Sequence, residues 1–338
     1  MQEYNRHAAA QQKKRKCRRR AVTAVSAAAI LSSSAVTAFL FTLALDPGCA
    51  WFMGKIMHEG HNAERYNQAL APEMKGERAF RAYSAAWLGR EGRDVYMRSE
   101  DGLILHARYV RRAGSHRYAV VCHGYGGRSI NMAHAARRLW WRGFSVLLPD
   151  ARAHGESQGR YVGMGWKERR DVVRWCKKIT AQDPEAEILL FGVSMGAATV
   201  LMAAGEADLP RQVKAVVEDC GYTSAWEEFA SQLKRLLRLP VFPFLDEASL
   251  LCSLLAGYGL RQASAEAQVR RCMLPMLFVH GERDAFVPFA MRDRLYDAAP
   301  GEKEKLTIYG AAHGQSSLVD PALYWKRVDA FLKKHGLL

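Results

Sequence analysis

From Tyr118 onward the chain alternates short apolar runs with longer stretches of helical spacing. Tyr118-Ala119-Val120-Val121-Cys122 has the character of a buried strand, and a helix from about Asn131 to Arg142, closed by Gly143, is expected after it. Phe144-Ser145-Val146-Leu147-Leu148 predicts the next strand. Val172, Trp175, Cys176 and Ile179 then share one helical face. Glu187 to Phe191 and Val213 to Glu218 read as further strands, with a tightly packed helix over Ala197 to Ala204 between them. Pro275 to Val279 and Leu306 to Tyr309 extend the series. A last helix opens at Asp320-Pro321, an N-cap and first-turn proline, and buries Tyr324, Val328, Phe331 and Leu332. Such alternation predicts an α/β fold with a mostly parallel central sheet flanked by helices on both faces. Upstream, Val95-Tyr96-Met97 and Leu103-Ile104-Leu105 flank an Asp101-Gly102 hairpin turn, so the globular domain is taken as residues 93–338.

The alternation stops at about residues 222–265. Trp226, Phe229, Leu233, Leu236 and Leu237 form an amphipathic run, Pro240 and Pro243 break the chain, and Leu250 to Leu255 is apolar again. This stretch is expected to be a helical cap over the carboxyl edge of the sheet, with two more core-packing helices as the alternative. Residues 46–92 read as a helical connector.

Charge changes the picture at the N-terminus. The formal charge of the 338 residues is +15, and residues 1–20 alone carry eight Lys/Arg against Glu3. The basic balance is therefore in part a tail effect, and no nucleic-acid partner is expected. Residues 21–45, from Ala21 to Leu45, then contain no charge over a length that spans a bilayer. They predict a transmembrane signal-anchor. The basic tail would stay inside the cell membrane and the catalytic domain would lie on the extracytoplasmic side. A cleaved signal peptide, ending near Gly48-Cys49-Ala50, and a soluble helix are the competing readings. The seven cysteines show no CxxC spacing, so neither a metal site nor a disulfide framework is expected.

The candidate chemistry centres on Gly192-Val193-Ser194-Met195-Gly196, between a predicted strand and a predicted helix. A Gly-x-Ser-x-Gly turn in that context lifts the serine out of the sheet on a strained backbone, above a helix N-terminus. Side chains two residues before and after the serine would collide with neighbouring backbone, which accounts for the glycines. A serine nucleophile needs a base, and the base needs an orienting carboxylate. Asp284 and His313 lie in loops after the next-to-last and last predicted strands, where a parallel sheet brings groups to one edge. Asp219, one strand earlier, is the rival acid. His123, His154 and His280 each precede glycine and are expected to be structural hydrogen-bonders, with Asp150 a loop organiser.

Together with Pro149 to Ser157 and Glu218 to Ser224, these motifs resemble the α/β-hydrolase superfamily, and more narrowly its single-pass, membrane-anchored bacterial members, over roughly residues 94–338. The resemblance implies an α/β-hydrolase fold and a serine hydrolase needing no cofactor. It further implies an oxyanion hole made by the backbone N–H groups of Met195 and of Tyr125, in the turn after His123-Gly124. A small-molecule or lipid ester is the expected substrate. Amide or peptide cleavage by the same residues, and a non-catalytic membrane-bound binding protein on this fold, are the alternatives.

Overall fold

The computed structural model describes Leu45 and residues 72–338. The basic tail and the predicted anchor, Leu45 apart, lie outside the described residues, as does most of the predicted connector. Among the described residues no helix is long and apolar enough to cross a membrane.

Helix α1 (Pro72–Glu91) leads into the hairpin β1 (Arg93–Arg98) and β2 (Ile104–Val110). Gly102 turns it with φ of 91°, a region that glycine enters without steric cost. The series continues with β3 (Arg117–Cys122), α2 (Ala133–Trp141), β4 (Ser145–Pro149), α3 (Glu168–Gln182), β5 (Glu187–Val193), α4 (Met195–Ala204) and β6 (Val213–Asp219). After an excursion come β7 (Met276–Gly281), α8 (Ala290–Ala298), β8 (Lys303–Ile308), the short α9 (Ser316–Val319) and α10 (Pro321–Lys334). The eight strands form one sheet in the order β1-β2-β4-β3-β5-β6-β7-β8. β2 runs antiparallel to β1 and β4, and every pairing from β4 across to β8 is parallel.

The inner strands β3 to β7 are predominantly apolar because both faces are covered, whereas the edge strands β1 and β8 carry charged, exposed residues. Within β5, Ile188 and Leu190 enter one core while Leu189 and Phe191 enter the other, and β7 divides Met276 and Phe278 from Leu277 and Val279 in the same way. Helices α3 and α4 cover the first face, with Trp175, Cys176, Val200 and Leu201 inside. The second is covered by α1, α2 and α10, which supply Trp87, Leu88, Leu139, Tyr324, Val328 and Phe331.

Element boundaries shift by one to three residues in several places, β8 for example spanning Lys303–Ile308 where Leu306 to Tyr309 is expected, and two further differences lie around α2 and β4. The helix expected from Asn131 is a 3-10 turn over Ser129–Met132 before α2 begins. The Asp150 carboxylate accepts the Ser129 N–H at 2.6 Å and so governs how the turn starts. The strand expected at Phe144 to Leu148 begins and ends one residue later. At α10 the Asp320 side chain accepts the Leu323 N–H at 2.9 Å, with the proline at the first turn.

The excursion between β6 and β7 contains α5 (Ala225–Gln232), a π-turn (Leu233–Leu237), α6 (Phe244–Leu255) and α7 (Ala265–Val269). Its inner residues Ala225, Leu245, Cys252, Ala265 and Val269 belong to the first core.

Candidate active site

β5 ends at Val193, and Ser194 takes φ 57° and ψ −122° before α4 begins at Met195. A non-glycine residue held at positive φ stores strain, and the surroundings must over-determine it. The packing here does so. A Cβ on Gly192 would stand 2.3 Å from the Gly196 carbonyl oxygen, and one on Gly196 would stand 2.3 Å from the Cys122 carbonyl oxygen. Neither obstacle is a movable side chain. The Ser194 N–H also donates to the Asp219 carbonyl at 2.8 Å, pinning the turn to β6.

The loops after β7 and β8 meet this turn. Ser194 Oγ lies 2.7 Å from His313 Nε2, and His313 Nδ1 lies 2.7 Å from Asp284 Oδ2. The second oxygen of Asp284 accepts the N–H groups of Phe286 and Val287, each at 2.9 Å. With Nδ1–H donating to the carboxylate, Nε2 is left to accept the serine proton. The two loops are joined directly: the Arg283 N–H donates to the Ala311 carbonyl at 2.9 Å. Burial raises the Asp284 pKa, but the rings of His313 and His280 outweigh it and hold the carboxyl well below its usual range. For His313 burial acts downward, and the Asp284 carboxylate reverses it to a net upward shift.

Asp219 is not a partner of the imidazole nitrogens. Its Oδ1 accepts the Ser316 hydroxyl at 2.8 Å, and burial pushes its carboxyl up to about 6. His280 was legible only as a structural group, yet its Nε2 lies 3.3 Å from Asp284 Oδ2 and 3.1 Å from the Val287 carbonyl. The acid therefore faces two histidines.

The turn after β3 approaches from the other side. A Cβ on Gly124 would lie 3.2 Å from Ser194 Cβ, so Tyr125 follows at the edge of the serine. Two histidines brace this turn. His123 Nδ1 donates to the Gly124 carbonyl at 2.7 Å while its Nε2 accepts the Ala151 N–H at 3.0 Å. His154 Nε2 accepts the Gly126 N–H at 3.0 Å. Burial, and then the neighbouring His154, push the His123 pKa down to about 4, so the ring is neutral and able to accept. Asp150 gathers the adjoining loop, accepting from Ser129, from Glu156 at 3.0 Å and facing His106 Nδ1 at 2.7 Å. Met195, at the N-terminus of α4, is buried beside Ser194.

Several contributors carried no sequence signal. The Phe286 ring packs against His313 at 4.9 Å between centroids. From the excursion, Gln232 Nε2 donates to the Phe286 carbonyl at 2.6 Å and to Glu228 Oε1 at 2.7 Å. Glu228 is buried, its Oε2 has no hydrogen-bond partner among the described residues, and burial pushes its pKa up to about 8. In sequence it reads only as the polar side of an amphipathic helix. Two groups of potential metal ligands occur among the described residues, Cys220/Asp284/His313 and Asp94/His106/Glu156. In the first, His313 and Asp284 already bond each other, and in the second His106 spends both nitrogens on Asp150 and Asp94. The described cysteines are all buried free thiols.

Comparison with known proteins bears on the fold and the family. The family profile described as "Hydrolase_4: Serine aminopeptidase, S33" matches residues 114–248. The "Uncharacterized protein Rv2307c" of Mycobacterium tuberculosis is 31% identical over 255 residues, covering 73% of this chain and 81% of the relative. The monoglyceride lipase of Rattus norvegicus is 26% identical, covering 63% of this chain and 80% of the lipase. Among solved structures, the Pyrococcus furiosus esterase Pf2001 superposes with a TM-score of 0.60 at 25% identity, covering 74% of this chain and 95% of the esterase. Fold, sheet order and relatives converge, and the chain belongs to the α/β-hydrolase superfamily.

Proposed function

We propose that this hydrolase is a membrane-tethered serine esterase acting on small-molecule or lipid carboxylic esters through an acyl-enzyme. The observation that carries the reading is the unbroken relay of two 2.7 Å contacts, Ser194 Oγ to His313 Nε2 and His313 Nδ1 to Asp284. In the first half-reaction Ser194 Oγ attacks the ester carbonyl carbon while His313 Nε2 takes its proton. The resulting imidazolium is stabilised by the Asp284 carboxylate, and the tetrahedral oxyanion by the backbone N–H groups of Met195 and Tyr125. Collapse breaks the C–O bond, and His313 returns the proton to the leaving alcohol. Water then repeats the sequence on the acyl-serine and releases the acid. Residues 21–45 serve as the anchor and place the hydrolase domain on the extracytoplasmic side, a reading supported by the uncharged run and the basic residues before it.

Amide cleavage by the same residues is favoured by one observation, the aminopeptidase description of the matching profile. The test is labelling by a fluorophosphonate, followed by paired panels of esters of graded acyl length and of aminoacyl anilides. Ser194 is expected to be the labelled residue, with Ser194→Ala losing the label while melting as the parent does. Persistent labelling of the variant would assign the nucleophile elsewhere. Faster turnover of anilides than of esters would make the protein a peptidase.

A further inference from the structure

Helix α6 is apolar on both sides. Leu245, Ala248 and Cys252 point into the core, as their spacing requires, yet Leu250 and Leu254 stand on the opposite side and are 61% and 72% exposed. Leu255 and Phe242 are exposed as well, Phe242 at 76%. From Ala248 to Leu260 there is no charged side chain, and the carboxylate one turn before Leu250 on the same side, exposed Asp246, is paired with Arg261 at 3.5 Å. Large apolar groups concentrated in this way mark a surface that is covered in use.

Two further observations identify the cover. First, Leu45, the residue at which the uncharged sequence run ends, is linked through Val162 to the segment that leaves this helix. Leu45 is buried in the first core, and its carbonyl accepts the Val162 N–H at 3.1 Å. The Val162 carbonyl in turn accepts the hydroxyl of Tyr258 at 2.9 Å, three residues beyond the end of α6. Val162 thus bonds both the end of the apolar run and the segment leaving α6. Second, the π-turn before α6 exposes Lys234 and Arg235, and Arg238 is exposed directly after it, next to exposed Leu237. Cations bordering apolar side chains match the order of an anionic headgroup layer over acyl chains.

We infer that the outer face of α6, with Leu250 and Leu254 at its centre, docks on an anionic phospholipid bilayer, laying the cap on the membrane where the chain leaves it. The inference rests on the reading of residues 21–45 as the anchor. Leu250 and Leu254 enter the headgroup and acyl boundary, Lys234 and Arg238 meet phosphates, and the cap lies between bilayer and active site. Esters dissolved in the membrane then reach the site from the lipid side.

The test uses the full chain carrying Cys17→Ser, Cys49→Ser and Leu254→Cys, since the remaining cysteines are buried. A bimane on Cys at position 254 is read after reconstitution into vesicles of phosphatidylglycerol and phosphatidylethanolamine holding a shallow nitroxide lipid. Quenching of about twofold or more is expected, weaker in pure phosphatidylcholine and in a Lys234→Gln/Arg238→Gln background. An unquenched probe in a chain that floats with the vesicles overturns docking while leaving the anchor standing. A chain that does not float overturns both, and a cross-link from position 254 to a second copy assigns the face to self-association instead. In activity, Leu250→Ser/Leu254→Ser is expected to hydrolyse a water-soluble short-chain ester as the parent does and a vesicle-dissolved ester about tenfold more slowly. Equal losses on both esters would make the face structural and overturn the inference. Failure of the parent on every ester would sink the esterase reading alone, since the quenching result does not depend on turnover.

Discussion

His123, His154 and His280 share a sequence context with His313, a histidine followed by glycine near a strand end, and their partners separate them. His123 and His154 spend their nitrogens on backbone groups of the two loops after β3 and β4, whereas His313 spans a hydroxyl and a carboxylate. The two candidate acids separate in the same way. Asp284 faces the imidazole, and Asp219 holds Ser316. Asp284→Asn is therefore expected to lower kcat on a reference ester by about a thousandfold or more, through loss of the tautomer that leaves Nε2 free to accept. Asp219→Asn is expected to cost far less in turnover and more in melting temperature. Comparing both variants on one ester decides the matter, and a folded Asp219→Asn with collapsed turnover would reverse the assignment. That Ser194, Asp284 and His313 could meet was legible from their places after strands of a parallel sheet. The second histidine on Asp284 was not, because whether His280 turns toward the acid depends on the path of the loop from Glu282 to Pro288, which no residue pattern encodes.

At the scale of elements, strands β3 to β7 were readable because each carries consecutive apolar residues and is buried on both faces. Boundaries drifted where a side chain far along the chain intervenes, as Asp150 does at Ser129. The stretch from Leu233 to Leu255 was hardest to read, since α6 carries leucines on both sides and gives no single periodic face. The strand-turn-helix element at Ser194 makes a sharp prediction. Gly196→Ala drives a Cβ against the Cys122 carbonyl, which belongs to β3 and cannot rotate away. A loss of about 3 kcal/mol or more in urea unfolding is expected. Gly89→Ala, a position in α1 where an added Cβ meets nothing within 4 Å, is the control and should be neutral or better. Equal stability of the two variants would refute the packing argument.

Across the whole molecule, buried carboxyls set how the fold responds to pH. Glu218 at the end of β6 accepts the Gly221 N–H at 2.8 Å through one oxygen, and burial pushes its pKa from 4.5 up to about 8. Between those values the folded chain keeps a proton that the unfolded chain has lost, so this group's contribution to stability falls as pH rises. Glu218→Gln is expected to match the parent at mildly acidic pH and to melt higher than the parent above the elevated pKa of about 8. A constant difference in melting temperature at every pH would rule out titration as the cause. A different kind of consequence follows from Asp219, whose carbonyl holds the Ser194 N–H and whose side chain holds Ser316, three residues past His313. One residue of a central strand thereby acts as a spacer gauge between hydroxyl and imidazole, while the excursion between β6 and β7 touches the imidazole only indirectly, through Gln232 and the Phe286 ring. The reach from hydroxyl to imidazole is thus set first by the sheet, so a change at position 219 alters both ends of it at once.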